Sequence, residues 1–377
     1  MGPSATFARV AAAGVVALST FGCLIPASET GQIADETPPA TARKRATPTV
    51  EKTEAGHRVQ LREQAMGTRV LLAAYTTDTL DDQAVSEILH AAHDEIKRLE
   101  GLMTTWDSRS EISRVNAAAG REAVVVSPET FTVVEKALWI AEHSEGTFDI
   151  TFASMGSLWR FDEDRIKFVP DAAELEEGRR KIDYRVLAID PEKRTVKINV
   201  EGRKISLGGI AKGYAIDRAA AVMRDAGLSS FYAQAGGDLY VGGHKPNGKP
   251  VRVGVRDPRG EGHHHFAAVE VEDHAFSTAG DYERSFIKNG KRYHHIIDPR
   301  TGYPATASRS VTIWAKTALM ADALDDAVFI LGPEKGLALV ESIEGCGAVI
   351  VDKDNKVWVS KRLQNKVSIR RPPTDAI

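Results

Sequence analysis

Ala321-Asp322-Ala323-Leu324-Asp325-Asp326-Ala327-Val328-Phe329-Ile330-Leu331-Gly332 places three aspartates on one turn of an otherwise apolar stretch. Positions i, i+3 and i+4 share a helix face, so Asp322, Asp325 and Asp326 lie together. The apolar residues around them predict a largely buried helix, closed by Gly332-Pro333. Carboxylates crowded in such a setting repel one another and lose solvation, so they protonate or recruit a cation. Oxygen-only ligands favour a hard ion, Mg²⁺ or Ca²⁺, over zinc. The competing reading is an acidic helix face that simply meets water, and this segment alone leaves both open.

Strands flank this helix at residues 310–315 and 347–351. Further toward the N-terminus, 211–224 reads as a helix ended by Gly227, followed by strands at 230–235, 239–241, 251–255 and 267–271. A hairpin over 282–287 and 293–297 turns at Asn289-Gly290. Residues 61–75 read as a strand broken at Gly67. Val85, Ile88, Ala92, Ile96 and Leu99 give 81–100 helical spacing, and 131–143 is a second amphipathic helix. Two short strands lie within 186–200. Strands and helices are interspersed without a strict βαβ rhythm, so the fold class is α+β.

The chain has 377 residues, 42% hydrophobic and 27% charged, which suits a folded globular protein. A net charge of −3 gives no basis for nucleic-acid binding. Residues 1–23 differ from the rest: Arg9 precedes a short apolar run, Val10 to Leu18, followed by Ser19-Thr20-Phe21-Gly22-Cys23. That pattern is a secretory signal, with acylation of Cys23 as a lipoprotein and plain signal cleavage as the two outcomes. The run is too short to span a bilayer comfortably. The expected site of action is therefore outside the cell membrane, on its periplasmic side, with a lipid anchor on Cys23. Residues 24–57, rich in Pro, Thr, Ala and Glu, read as a flexible tether. The catalytic domain is expected over 58–363 and a disordered tail over 364–377. Cys346, in an apolar stretch, is expected to be a buried structural thiol.

Three other segments carry chemistry. Ser206-Leu207-Gly208-Gly209-Ile210-Ala211-Lys212-Gly213-Tyr214 leads into a helix, where glycines permit close approach and free N–H groups can meet phosphate. Its spacing fits neither a Walker loop nor a dinucleotide fingerprint, and a plain glycine turn is the alternative. Gln234-Ala235-Gly236-Gly237-Asp238 is a tight turn or a ligand wall between strands. Tyr293-His294-His295-Ile296-Ile297-Asp298-Pro299-Arg300-Thr301-Gly302 sets histidines at a strand end, where one can serve as a base or bind phosphate.

Together with Met66-Gly67-Thr68, Met103-Thr104-Thr105-Trp106, Ser110 to Asn116, Gly146-Thr147-Phe148-Asp149 and Ser277-Thr278-Ala279-Gly280, these segments occur in a specific order. The chain resembles the FAD:protein FMN transferase family, the ApbE lipoproteins, across residues 61–359. The resemblance implies one unit of two α/β subdomains with FAD in the cleft between them. It implies an Mg²⁺-dependent enzyme that cleaves FAD, attaches FMN through a phosphoester to a threonine of an acceptor in an exported or membrane redox system, and releases AMP. By the same resemblance, Asp322, Asp325, Asp326 and the Gly209 carbonyl hold the metal. Met66, Trp106, Thr147, Phe148, Asp149, Ser206, Lys212 and Ile297 contact FAD. His295 and Asp322 are catalytic. Relatives often carry Thr or Ser at the position of Asp326, and Asp at the position of Ser206. An FAD pyrophosphatase that gives FMN and AMP would share every one of these residues. A non-enzymatic exported FAD carrier would have no need of the aspartates or His295.

Overall fold

Alternation along the strand Ser308–Ala315 sends Ile313 and Ala315 into one hydrophobic core and Trp314 into another. Gly347–Asp352 repeats the pattern, with Ala348 and Ile350 in the first core and Val349 and Val351 in the second. A sheet buried on both faces follows from these two strands alone. The structure, a computed structural model, describes residues 45–156, 158–161, 168–261 and 264–376. From Ala46 on, the chain forms one unit.

In chain order the strands are β1 (Thr49–Thr53), β2 (Gly56–Ala65), β3 (Thr68–Tyr75), β4 (Val124–Val125), β5 (Leu187–Asp190), β6 (Thr195–Ile198), β7 (Phe231–Ala235), β8 (Asp238–Gly242), β9 (Val251–Arg256), β10 (His265–Val271), β11 (His274–Gly280), β12 (Ser285–Lys288), β13 (Lys291–His294), β14 (Ser308–Ala315), β15 (Gly347–Asp352), β16 (Val357–Val359) and β17 (Val367–Ile369). The helices are α1 (Asp82–Met103), α2 (Glu111–Ala117), α3 (Pro128–His143), α4 (Ala172–Arg179), α5 (Ala211–Asp225), α6 (Ala318–Leu331) and α7 (Pro333–Ser342). Nine strands form one antiparallel sheet in the order β1-β2-β3-β7-β8-β11-β14-β15-β16. Helices α1, α5 and α6 cover one face, and the larger core fills the space beneath them. The sheet β17-β10-β9 covers the other face around Phe266, Trp314 and Val349. The α+β expectation holds. Among the described residues no helix is long and apolar enough to cross a membrane.

Local chemistry explains the element ends. Asp81 caps α1 by accepting from the Ala84 N–H, and Val85, Leu89, Ala92, Ile96 and Leu99 line its buried stripe. Residues 61–75 prove to be the arms of a hairpin, since Met66 and Gly67 take φ of +53° and +69° and turn β2 into β3. The 282–297 hairpin is shorter than expected, confined to β12 and β13, and turns at Asn289-Gly290 as its sequence predicts. Cys346 is buried, and burial pushes its thiol up to about 11.

Two boundaries are corrected. The tether was expected to reach residue 57, yet β1 pairs with β2 from Thr49 to Thr53. The tail was expected to be disordered from 364, yet β17 adds to β10 through Val367, Ser368 and Ile369. Both strands are largely exposed and held by main-chain bonds, so neither carries the apolar pattern that sequence reading relies on. The expected signal segment, Cys23 and most of the tether lie outside the described residues.

Candidate active site

The site forms where α5 and α6 cross at backbone contact. A Cβ on Gly213 would lie 2.2 Å from the Ala318 carbonyl oxygen, so only glycine allows this approach. Asp217, one turn further along α5, accepts from the Ala318 N–H at 2.7 Å and the Leu319 N–H at 2.9 Å. It thereby satisfies orphan donors in the first turn of α6, alongside the cap that Thr317 makes to Met320. Burial first, and then the charges of Asp238 and Asp322, push Asp217 up to about 7 against those two backbone bonds.

This crossing sets Lys212 and Asp322 face to face. Lys212 Nζ lies 2.8 Å from Asp322 Oδ1, and the Gly213 N–H donates to Asp322 Oδ2 at 2.9 Å. The β7–β8 turn brings in Asp238, whose Oδ2 is 3.1 Å from Lys212 Nζ. That ion pair is not aligned as a hydrogen bond, and Asp238 Oδ2 is buried without one. Strand β11 contributes Ser277, whose Oγ lies 2.5 Å from both Asp238 Oδ1 and Asp325 Oδ2. A hydroxyl has one proton, so it donates to one carboxylate, and the second short contact needs a proton on the carboxyl. Oxygens of Asp238, Asp322 and Asp325 fall within 4.8 Å of one another, and all three residues are buried. Asp326 is half-buried beside Gly209; a Cβ there would lie 3.9 Å from Asp326 Oδ2 and 3.3 Å from the Phe148 ring.

Four carboxylates therefore share one ammonium. Burial, then the charge of Asp322, raises Asp238 to about 6 even with Lys212 beside it. The same two causes raise Asp326 to about 6. Burial and the charges of Asp326, Asp322 and Asp238 hold Asp325 well above the ordinary range. Burial opposes the charge on Lys212, but Asp238 and Asp322 outweigh it and hold the ammonium charged. Charge deficit, an unbonded buried oxygen and an all-oxygen donor set fit a hard divalent cation.

His295 follows β13 and, by strand alternation, faces away from His294. His294 donates from Nε2 to the Ala305 carbonyl at 2.8 Å and packs edge-on against Phe329 of α6. Burial lowers His295 to about 4, helped by the nearby charges of Arg284 and Lys212. Its Nδ1 is buried with no hydrogen-bond partner among the described residues.

The remaining expected residues take different situations. Phe148 is buried with its ring against Gly209. The Thr147 hydroxyl lies 2.9 Å from the Ser144 carbonyl and 3.3 Å from that of Ala327, tying its loop to α6. Asp149 is buried and accepts from Thr151 N, Thr151 Oγ1 and Tyr184 N at 2.6–2.8 Å, so its carboxylate is spent on holding that loop. Ser206 accepts from the Gly208 N–H at 3.3 Å. Met66 tips the β2–β3 turn, and Ile297 is buried in a bridge to Pro304. Trp106 is 96% exposed between α1 and α2, an indole face open to a ligand. The structure thus gathers Lys212, Gly209, Asp322, Asp325, Asp326 and Phe148. It adds Asp238, Ser277 and Asp217, which sequence reading did not assign to the site. A charged residue opening a strand with Leu239-Tyr240-Val241 behind it was the available signal for Asp238.

A family model described as the ApbE family matches residues 66–350. The FAD:protein FMN transferase of Treponema pallidum is 33% identical over 334 residues, spanning 83% of this chain and 91% of that protein. One from Klebsiella pneumoniae is 31% identical, over 75% of this chain and 83% of its own length. Among solved structures, the ApbE protein of Thermotoga maritima aligns with a TM-score of 0.73 at 33% identity, covering 82% of this chain and 99% of its own. The flavin transferase ApbE of Vibrio cholerae aligns with a TM-score of 0.73 at 26% identity, covering 84% and 100%.

Proposed function

The chain belongs to the ApbE family, and on that premise we propose that it transfers FMN from FAD to a threonine of an acceptor protein and releases AMP. The observation that carries this reading is the set of Asp238, Asp322 and Asp325 oxygens within 4.8 Å, served by the single ammonium of Lys212. Such a site is built for a pyrophosphate with its counter-ion. Mg²⁺ held by Asp322, Asp325, Asp326 and the Gly209 carbonyl, with Asp238 adjoining, would offset the phosphate charge that builds as the bond breaks.

The chain's own groups do the rest. The threonine Oγ attacks the FMN-side phosphorus, the P–O bond to the bridging oxygen breaks, and AMP leaves with that oxygen. Lys212 offers a fixed positive charge to the phosphates. His295, neutral because it is held near 4, orients the hydroxyl and takes its proton as the P–O bond forms. The approaching pyrophosphate charge raises its basicity at that moment. Phe148 and the exposed Trp106 supply apolar surface for the flavin and adenine rings.

We further read the enzyme as exported and lipid-anchored through Cys23, acting on membrane or periplasmic redox proteins. The N-terminal pattern supports this, and Cys23→Ala should release the protein from membranes; equal partitioning of both forms would sink it. The reaction is tested by mass spectrometry of an acceptor incubated with FAD and Mg²⁺. A gain of one FMN, lost when the acceptor threonine is replaced, is expected. FMN and AMP as sole products would establish hydrolysis instead.

A further inference from the structure

An open pocket of about 640 Å³ lies behind the β12–β13 hairpin, outside the acidic site. Its lining carries five cations, Arg259, Lys291, Arg292, Arg309 and Lys353, against two carboxylates, Asp281 and Asp375. One of those carboxylates belongs to the chain's own C-terminal segment. After β17 that segment runs across the rim as an extended peptide. The Pro373 carbonyl accepts from Asn355 at 2.9 Å, and Thr374 binds Asp257 through its N–H at 3.1 Å and its hydroxyl at 2.8 Å. Asp375 Oδ1 lies 3.0 Å from Arg309 Nη1, and the Ala376 carbonyl accepts from Arg259 at 3.3 Å. With the segment lifted away, Arg259 would keep Asp281 and Lys353 its neighbour Asp354, while the lining would still carry Lys291, Arg292 and Arg309 with no further carboxylate in it.

The lining of the pocket has unmet bonding. His294 Nε2 faces a carbonyl, which can only accept, so Nε2 carries the proton and Nδ1 is a bare acceptor. His294 and Ser308 both line this pocket, and His294 Nδ1 and Ser308 Oγ are buried with no partner among the described residues. The rim therefore holds a peptide carboxylate, while two polar atoms of the lining residues remain unmet. Asp375 is 73% exposed, so its ion pair is solvated and readily exchanged.

We infer that this pocket docks an acidic, extended segment of the acceptor protein, and that residues 373–376 occupy its rim until the acceptor displaces them. The inference rests on the reading that the FMN acceptor is a protein. His294 lines the pocket and His295 follows it facing the other way, so an acceptor held here sits on the opposite side of the strand end that carries the proposed base and must reach round that end to present its threonine.

The test uses a fluorescein-labelled peptide of residues 371–377 and two forms of the enzyme, the full chain and one ending at Arg370. The shortened chain keeps β17, and its thermal melt is checked against the full chain. Anisotropy should show saturable, salt-sensitive binding to the shortened chain and roughly tenfold weaker binding to the full chain, whose own tail competes in cis. The peptide with Asp375→Asn should bind poorly, as should Arg309→Glu and Lys291→Glu forms of the shortened chain. The free peptide should also raise the KM for the acceptor and leave the KM for FAD unchanged. No saturable binding to a folded shortened chain, or equal binding to both lengths, overturns the inference. Inhibition competitive with FAD does the same. The anisotropy arm needs no turnover, so failure of FMN transfer and failure of docking are told apart.

Discussion

The acidic cluster under α6 and the basic pocket behind the hairpin gather like charges in opposite ways. In the pocket, the largely buried cations have anions of their own: Arg259 forms a two-bond pair with Asp281 at 2.6 and 2.7 Å, and Arg309 meets Asp375. In the cluster, four carboxylates gather around one ammonium that pairs with Asp238 and Asp322, and one serine hydroxyl lies against both Asp238 and Asp325 with a proton for only one of them. The difference teaches where a protein leaves charge unbalanced. The pairs that close on themselves hold the pocket's rim, whereas each site keeps an imbalance for a ligand to offset: excess cations in the pocket, and in the cluster excess carboxylates, whose deficit of positive charge appears as raised carboxylate values.

The largest break in this contrast should come from Asp322→Ala. It removes the partner of Lys212 and Gly213 and the charge that organises the cluster. Transfer should slow by on the order of 10²–10³ while FAD binding largely survives, because the ring contacts come from other segments. Stopped assays beside flavin-fluorescence titration will measure both, and a wild-type rate would end the assignment.

Divalent cation is the next lever. Mg²⁺ at about a hundred times its Kd should stabilise the fold by roughly 2.7 kcal/mol, seen as a rise in Tm that EDTA reverses. Asp325→Asn should remove most of that rise, whereas Asp281→Asn in the pocket should leave it intact. A Tm indifferent to Mg²⁺ means the cluster is neutralised by protons alone.

Gly213→Ala probes the crossing rather than the charges. The added methyl meets the Ala318 carbonyl at 2.2 Å, so α5 and α6 must separate and Lys212 must shift from Asp322. A loss toward the upper end of roughly 1–3 kcal/mol is expected in chemical denaturation, together with lower activity. Unchanged stability would mean the helices already have slack.

His295 sharpens the comparison through pH. Its folded value, about 4, lies below the ordinary 6.5, so the unfolded chain binds the proton first. Its contribution is fully present above pH 6.5 and is lost as pH falls through about 4. His295→Asn should flatten that acid limb by roughly 3 kcal/mol in denaturation curves taken between those limits. An identical acid limb in wild type and variant would show the histidine to be solvated. The smallest effect belongs to the pocket: Asp375→Ala breaks a solvated pair and should change stability by only about 0.2–1 kcal/mol. A larger loss on thermal melting would make the tail structural and not displaceable.

Much of this was legible in the residues. The aspartate helix, its burial and its end at Gly332 follow from an apolar run with period-3.6 neighbours, and the Asn289-Gly290 turn follows from two residues that tolerate positive φ. Strand β11 was missed as a strand, since His274-Ala275-Phe276-Ser277-Thr278-Ala279-Gly280 has too few bulky apolar residues to alternate clearly. Strands β1 and β17 were missed because they are held by backbone bonds at sheet edges.

By itself the sequence determined the α+β class, the family and the three aspartates on one helix face, because each is fixed by local period or by motifs in order. Only the tertiary structure decided that Asp238 and Ser277 complete the cluster, that Asp149 is committed to its own loop, and that the C-terminal segment lies across a basic pocket. Asp238 is 84 residues before Asp322 in the chain, yet both lie against one lysine. Such meetings depend on which strands pair and on how closely Gly213 lets two helices approach, and no local pattern encodes either.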